Sequence, residues 1–416
     1  MRQNGIKRIS IKTLPCIYVQ KGSEDDTIEK LLEHYDELSD HIKVETKDPD
    51  LYPKFTSQYT DQTVAANSVI VVCGDKSKVV SNSDMWETST NYQTYQTQTT
   101  GFDGEGQITS AITYVTSENN PKVYWVTGHG EASESDLSTN FSDAINKNNV
   151  EISDLALMTD DIPEDAEELV IMSPTTDFSE DEANKVITYL ENGGKLLMFT
   201  SYTGTDMPNL DSILENYGVK RSSGIVVETD SQHYYPQMPY YLLPNIQSDD
   251  ITTEVKSNYI LMPVAQAIQK LDSYRDTITI KSLLTTTEDA YIENDPENST
   301  WSKSADSETG AFDLGVSITE TVDDKETQII YFSSASMLSS QIDQAISGAN
   351  SKLAATALTS MCDVEQTVVI PSKSTSYTNL VFTQGAVNTW SIITIAGIPL
   401  VLVVIGVMIW MKRRKQ

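Results

Sequence analysis

The chain has 416 residues, and 60 acidic against 29 basic side chains leave it a formal charge of −31. A body this acidic does not bind nucleic acid or anionic lipid through bulk charge. The three cysteines, Cys16, Cys73 and Cys362, are far apart and include no C-x-x-C pair, so they give neither a disulfide framework nor a metal site. Cys16 and Cys73 fall in apolar, strand-like runs, where buried free thiols are expected.

Such a length exceeds one ordinary core, so at least two domains are expected. Residues 14–20 (LPCIYVQ) read as a strand. Residues 27–38 then place Ile28, Leu31, Leu32, Tyr35 and Leu38 on one helical face, with acidic residues at the start. Residues 42–46 alternate as a second strand, Asp48-Pro49 breaks it, and residues 68–73 form an apolar third. A turn at Gly74-Asp75 leads to a return arm at 78–80. Strand, helix, strand and hairpin is a thioredoxin-like order. Without a redox cysteine pair it is read as a scaffold only. The polar stretch 88–100, rich in Thr, Gln and Tyr, is expected to be a surface loop, and residues 106–116 a helix.

From Lys122 the alternation becomes regular. Residues 123–127 are a strand, a helix follows around Phe141, Ala144 and Ile145, and 168–173 are a second strand. Ser179 and Glu182 make a capping box ahead of a buried stripe of Ala183, Val186, Ile187 and Leu190. Gly193-Gly194 caps that helix, 195–200 is a fully apolar strand, and a further helix through Leu210, Ile213, Leu214 and Tyr217 stops at Gly218. Apolar strands alternating with helices predict a doubly wound parallel sheet in an α/β fold. Beyond it lie β-type runs at 258–263, 276–284 and 312–319, an acidic loop at 293–309, an apolar strand at 328–334 and one helix over 342–361.

Residues 363–389 read as a polar stalk. Residues 391–411 carry no charge, and about 20 apolar residues suffice to cross a ~30 Å hydrocarbon layer as a helix. Trp390 and Trp410 stand near its ends, as interfacial indoles do, and Pro399 is tolerated in a membrane helix. Lys412, Arg413, Arg414 and Lys415 follow at once. The positive-inside rule keeps that tail cytoplasmic and puts the acidic body on the outer side of the cell membrane. An anchor in this orientation needs an export signal, and residues 1–20 have no apolar core of that kind. The expectation is therefore a chain shortened at its start, with a first membrane segment missing; the alternative is a C-terminal helix that inserts unaided.

Three places offer chemistry. Gly128, His129, Gly130 and Glu131 follow the strand at 123–127, where open α/β sheets bind ligands and glycines let a backbone come close. The competing reading is a turn shaped by glycines and buttressed by His129. The turn 173–177 is where a hydrolase would carry a nucleophile. No cysteine and no G-x-S-x-G occurs there, and Ser173 and Ser201 have no identifiable base. Gln232, His233, Tyr234, Tyr235, Tyr240 and Tyr241 could line a carbohydrate or peptide groove, or simply pack a loop. Glu293, Asp295 and Glu297 match no EF-hand spacing, and His34 and His41 show no partner in the sequence. Nothing predicts a catalytic residue, a metal or a cofactor.

The runs VYWVTGHGE (123–131), ITYLENGGKLLMFTSY (187–202) and LDSILENYGVKRSSGIVVE (210–228), with FDLGVSITE, IIYFSSASML and the terminal anchor plus KRRK, resemble the Gld-type (gliding-motility-associated) auxiliary proteins of ABC transporters. The resemblance runs from about residue 14 to the end. It implies a non-enzymatic, membrane-anchored accessory subunit working with a separate permease and ATPase, in keeping with the lack of a P-loop. It also implies a class I glutamine amidotransferase-like central domain. The divisions expected are a thioredoxin-like domain at 1–118, the amidotransferase-like domain at 119–362, the stalk, the membrane helix at 390–411 and the tail at 412–416. The alternative is an extracytoplasmic carbohydrate- or peptide-binding module or hydrolase built on the 127–131 turn, which would need His129 to face an open pocket.

Overall fold

The computed structural model describes residues 14–18, 23–48, 51–52, 54–60, 63–91, 96–117, 120–297, 300–362, 370, 373–374 and 382–414. It divides into two compact units. The first comprises 1–122, 143–151 and 362–378, and the second 123–142, 152–361 and 379–416.

In the first unit a four-stranded sheet has the order Glu45–Lys47, Leu14–Tyr18, Ser68–Cys73, Lys76–Val80. The first pair is parallel and the other two antiparallel. Helix Asp26–Leu38 begins at Asp25, whose carboxylate accepts from the amides of Thr27 (2.9 Å) and Ile28 (3.2 Å), the usual way to satisfy orphan N–H groups. Its Ile28 and Leu32 pack with Val69, Val71, Ile108 and Ala111, the last two from helix Gly104–Thr116. Cys73 is a buried free thiol, and Cys362 is buried too. The stretch expected as a loop is instead a hairpin: Trp86–Asn91 pairs antiparallel with Gln96–Phe102. Its threonines have the β-branched preference for strands, which the polar composition masked. Of the expected stalk, Lys373–Ser374 adds a strand to this hairpin; most of 363–381, like residues 1–13, lies outside the described residues.

The second unit is mixed α/β around one central mixed sheet. Strands Lys122–Val126, Glu168–Met172, Lys195–Phe199 and Lys325–Phe332 pair in parallel. They are the apolar strands the sequence predicts, with Glu168–Met172 buried throughout. The purely parallel expectation ends there. Asp313–Val322 joins Lys325–Phe332 antiparallel through a two-residue turn at Asp323 (φ 49°) and Asp324 (φ 64°). Two left-handed residues are what a tight hairpin turn of this hand requires. Ile278–Thr285, Gln266–Lys270, Val219–Val227 and Tyr291–Glu293 extend the sheet antiparallel.

Helix Glu180–Glu191 starts with the expected capping box and ends with Gly193 at φ 90°. Ala183, Val186 and Leu190 pack on Leu196, Met198, Ile329 and Tyr331 in one core. The helix expected over 342–361 is two, Ser340–Ala345 and Ala349–Met361, because Ser347 (φ 59°) and Gly348 (φ 79°) both turn left-handed. Near the hairpin tip, Glu320 is buried and accepts from Arg275 Nε (2.8 Å), Arg275 Nη2 (2.7 Å) and Thr277 Oγ1 (2.5 Å).

The C-terminal helix runs from Gln384 to Arg414 with mean hydropathy 2.9 and its apolar window fully exposed, which makes it a candidate membrane span. It starts ahead of Trp390, inside the expected stalk. A π-helical turn at Ile393–Gly397 precedes Pro399, whose ring cannot fit a regular α-turn. Arg414 lies 5.3 Å from the Trp410 ring. Lys412 and Arg413 share this last turn, while Lys415 is outside the described residues.

Breaking a buried ion pair costs ~3–5 kcal/mol, and because Arg275 itself reaches solvent, screening brings the expected loss for Arg275→Met to about 2 kcal/mol in chemical denaturation. The hydrogen bonds from Arg275 hold the Glu320 carboxyl below its ordinary 4.5, against the opposing effect of burial. Its contribution is therefore complete above 4.5 and lost as pH falls through that value toward the lower folded one. Glu320→Gln should flatten the fall in thermal stability over this acid range.

Candidate functional site

The turn after strand Lys122–Val126 is built by two glycines. Gly128 has φ 124° and Gly130 φ 76°, and a Cβ on Gly130 would come within 2.1 Å of Thr175 Oγ1. Between them the His129 carbonyl accepts from the amides of Thr175 (2.9 Å) and Thr176 (3.1 Å) and from both their hydroxyls at 3.2 Å. The Ala132 amide donates to Met172 O (2.9 Å), and Trp125 Nε1 donates to Ala132 O (2.9 Å). The turn is thus sewn to the end of the neighbouring strand.

The His129 ring lies between two carboxylates. Nε2 is 3.2 Å from Glu182 Oε2, and Nδ1 is 3.3 Å from Glu131 Oε1, within ion-pair range but off the hydrogen-bond line. The three side chains are only 5%, 4% and 2% exposed for His129, Glu182 and Glu131. Phe178 packs on the ring at 4.4 Å between centroids, and Glu131 Oε2 also accepts from the His129 amide at 2.7 Å. Glu182 belongs to the capping box, its Oε2 taking the Ser179 amide (2.8 Å) and hydroxyl (2.7 Å). Burial pushes the Glu182 carboxyl up, but the Ser179 bonds and the His129 charge outweigh it and hold the group below its ordinary value.

Gly128 and Gly130 are exposed, while the His129 and Glu131 side chains turn inward and with Glu182 form an enclosed clamp that joins a strand end, the 173–177 turn and a helix start. In the sequence His129 and Glu182 are separate features, and their spacing of 53 residues carries no local signal. Ser173 stands at φ 54°, a strained position for a side chain, and its hydroxyl donates to Ser201 Oγ at 2.8 Å. Among the described residues, no histidine or carboxylate bonds either serine. The aromatic group at 232–241 is elsewhere, on a hairpin of Tyr234–Tyr235 with Met238–Leu242, where His233 Nδ1 lies 3.2 Å from Leu243 O. His34 has an exposed partner after all, Glu37 at 3.9 Å. A polar cavity of about 180 Å³ by Lys220, Ser223, Gln269 and Glu308 lies beside the irregular pairing at 221–225, apart from the clamp. Among the described residues no cluster of His, Cys, Asp or Glu suits a metal ion.

A family model described as an ABC-type uncharacterized transport system matches residues 120–360, more than half of the chain. The chain belongs to this auxiliary family of ABC-type transport systems. No curated protein matches it. Among solved structures, the mmIFT52 N-terminal domain is 15% identical, with 58% of this chain and 96% of that one covered and a TM-score of 0.43. A ThuA-like protein from Parabacteroides merdae ATCC 43184 is 12% identical over 64% of this chain and 99% of its own, with a TM-score of 0.33. The exo-β-1,4-mannosidase Op5Man5 from Opitutaceae bacterium strain TAV5 is 10% identical over 61% and 37%, with a TM-score of 0.30. Scores this low carry no argument about what the chain does.

Removing the ring in His129→Ala leaves two enclosed carboxylates without the group that lay between them, a loss of about 2–4 kcal/mol for a severed buried network. The expected result is a lower thermal midpoint, with Glu182→Gln, which keeps a neutral acceptor, losing less.

Proposed function

We propose that this protein is a non-enzymatic, membrane-anchored auxiliary subunit of an ABC-type transport system. The observation that carries the reading is the family match over residues 120–360 on a body that continues into one exposed apolar helix, Gln384–Arg414. On this reading the helix packs in the bilayer against a separate permease, an ATPase partner supplies the energy, and the acidic body stands extracytoplasmically with the basic tail inside the cell. The Gld-type subfamily, a thioredoxin-like first unit without redox chemistry and an amidotransferase-like second unit belong to the same proposal. The strand order of the first unit and the parallel half of the central sheet support it.

The enclosed His129 and the mutually bonded Ser173 and Ser201 favour a scaffold over the hydrolase alternative, since a ligand would have to displace Glu131, Glu182 and Phe178 to reach the ring.

Purification of the full chain from its native membrane in mild detergent should recover a multi-helix permease and a P-loop ATPase in fixed stoichiometry. Recovery of the protein alone, from membranes in which such partners are intact, overturns the proposal.

A further inference from the structure

The hairpin at 234–242 sits at the foot of the anchor helix. The Gly385 amide donates to Ser231 O (2.6 Å), Thr383 Oγ1 donates to Gln232 Oε1 (3.1 Å), and the Gln237 amide donates to Gln384 Oε1 (2.9 Å). These bonds grip the first turn of the helix from three points of one loop. Gly385 leaves room for the Gln232 amide, since a Cβ there would lie 1.4 Å from Gln232 Nε2 and displace that side chain. The root of the loop is equally fixed: buried Glu228 accepts from the amides of Thr229, Asp230 and Thr287 and from the Thr287 hydroxyl, at 2.9–3.1 Å.

This loop presents a cluster of aromatic side chains. Tyr234, Tyr235, Tyr240 and Tyr241 are half-buried, and none of their hydroxyls bonds to another described residue. Met238 at the hairpin turn is 38% exposed, and Phe382, just before the helix, is 47% exposed. Tyrosine has an apolar body and a polar tip, and favours the zone where hydrocarbon gives way to headgroups. From Gly385 to Trp390 the helix rises only about 8 Å at ~1.5 Å per residue. The headgroup layer of one leaflet is itself ~5–8 Å thick. With Trp390 at the hydrocarbon boundary, the loop held by Gly385 stands at headgroup level.

We propose that the tyrosine hairpin 234–242, together with Phe382, rests in the headgroup layer of the membrane that the anchor helix enters, so that the body lies on lipid and does not swing from its anchor. The proposal rests on the membrane-anchor reading. The lipid it fits is zwitterionic: the chain's charge of −31 opposes an anionic surface, while the rings of Tyr234 and Tyr235 attract a choline ammonium, Tyr240 being packed on Trp301 at 4.4 Å.

The test uses the full chain in phosphatidylcholine nanodiscs, without partners, labelled with a polarity-sensitive fluorophore in Met238→Cys, Val322→Cys and Ile398→Cys, the labelled wild type serving as blank. Val322 marks the far end of the sheet. Ile225 pairs with Gln266, whose amide meets Ser333 O (3.4 Å) beyond Phe332, whereas Val322 pairs with Lys325. Those two ends are about 23 Å apart at ~3.3 Å per residue. Headgroup nitroxide lipid should quench the label at position 238 at least threefold more than at 322, and acyl-chain nitroxide should quench 398. Equal quenching at 238 and 322 with 398 quenched overturns the proposal and leaves the anchor standing. An unquenched 398 overturns the anchor reading and the proposal with it.

Discussion

Strand Lys325–Phe332 is bonded on both edges in opposite senses, parallel to Lys195–Phe199 and antiparallel to Asp313–Val322. The second unit depends on that double pairing. On one side it demands crossovers, which the helices Glu180–Glu191 and Pro208–Glu215 accompany. On the other it permits the tight hairpin at 323–324, beyond which antiparallel strands joined by longer connections carry the sheet to Tyr291–Glu293. Since Lys325–Phe332 carries Ile329 and Tyr331 into the core shared with both helices, its register also sets how the apolar faces meet.

The parallel half was legible because burial on both faces writes a plain signal: ELVIM and KLLMF contain little that could face water. Caps were legible for a local reason, as Ser179 to Glu182 and Gly193 act within one turn. The antiparallel half was harder. Asp323-Asp324 forms its turn with two residues that tolerate a left-handed backbone but do not demand it, so the sequence offered two separate runs where the fold has one hairpin. Ser347 hid the break in the last helix pair in the same way, since only Gly348 after it is a strong breaker.

The candidate site shows a similar division. The glycines at 128 and 130 predicted a special backbone, and both are left-handed. What no local pattern could give is that Glu182, half a sheet connection away, closes on His129 while also capping its own helix. One carboxylate serves secondary structure and tertiary structure at once. That economy ties the strand end and the helix start into one unit.

The π-turn ahead of Pro399 has a further consequence. Proline brings no N–H, so a carbonyl one turn earlier goes without its helical donor. In water the loss is trivial. In hydrocarbon a bare carbonyl is costly, and it is relieved by a donor from an adjacent helix or by a trapped water molecule. The candidate membrane span is therefore chemically incomplete as a lone rod: about 8 Å past Trp390, at ~1.5 Å per residue, it carries a carbonyl that a companion helix can satisfy.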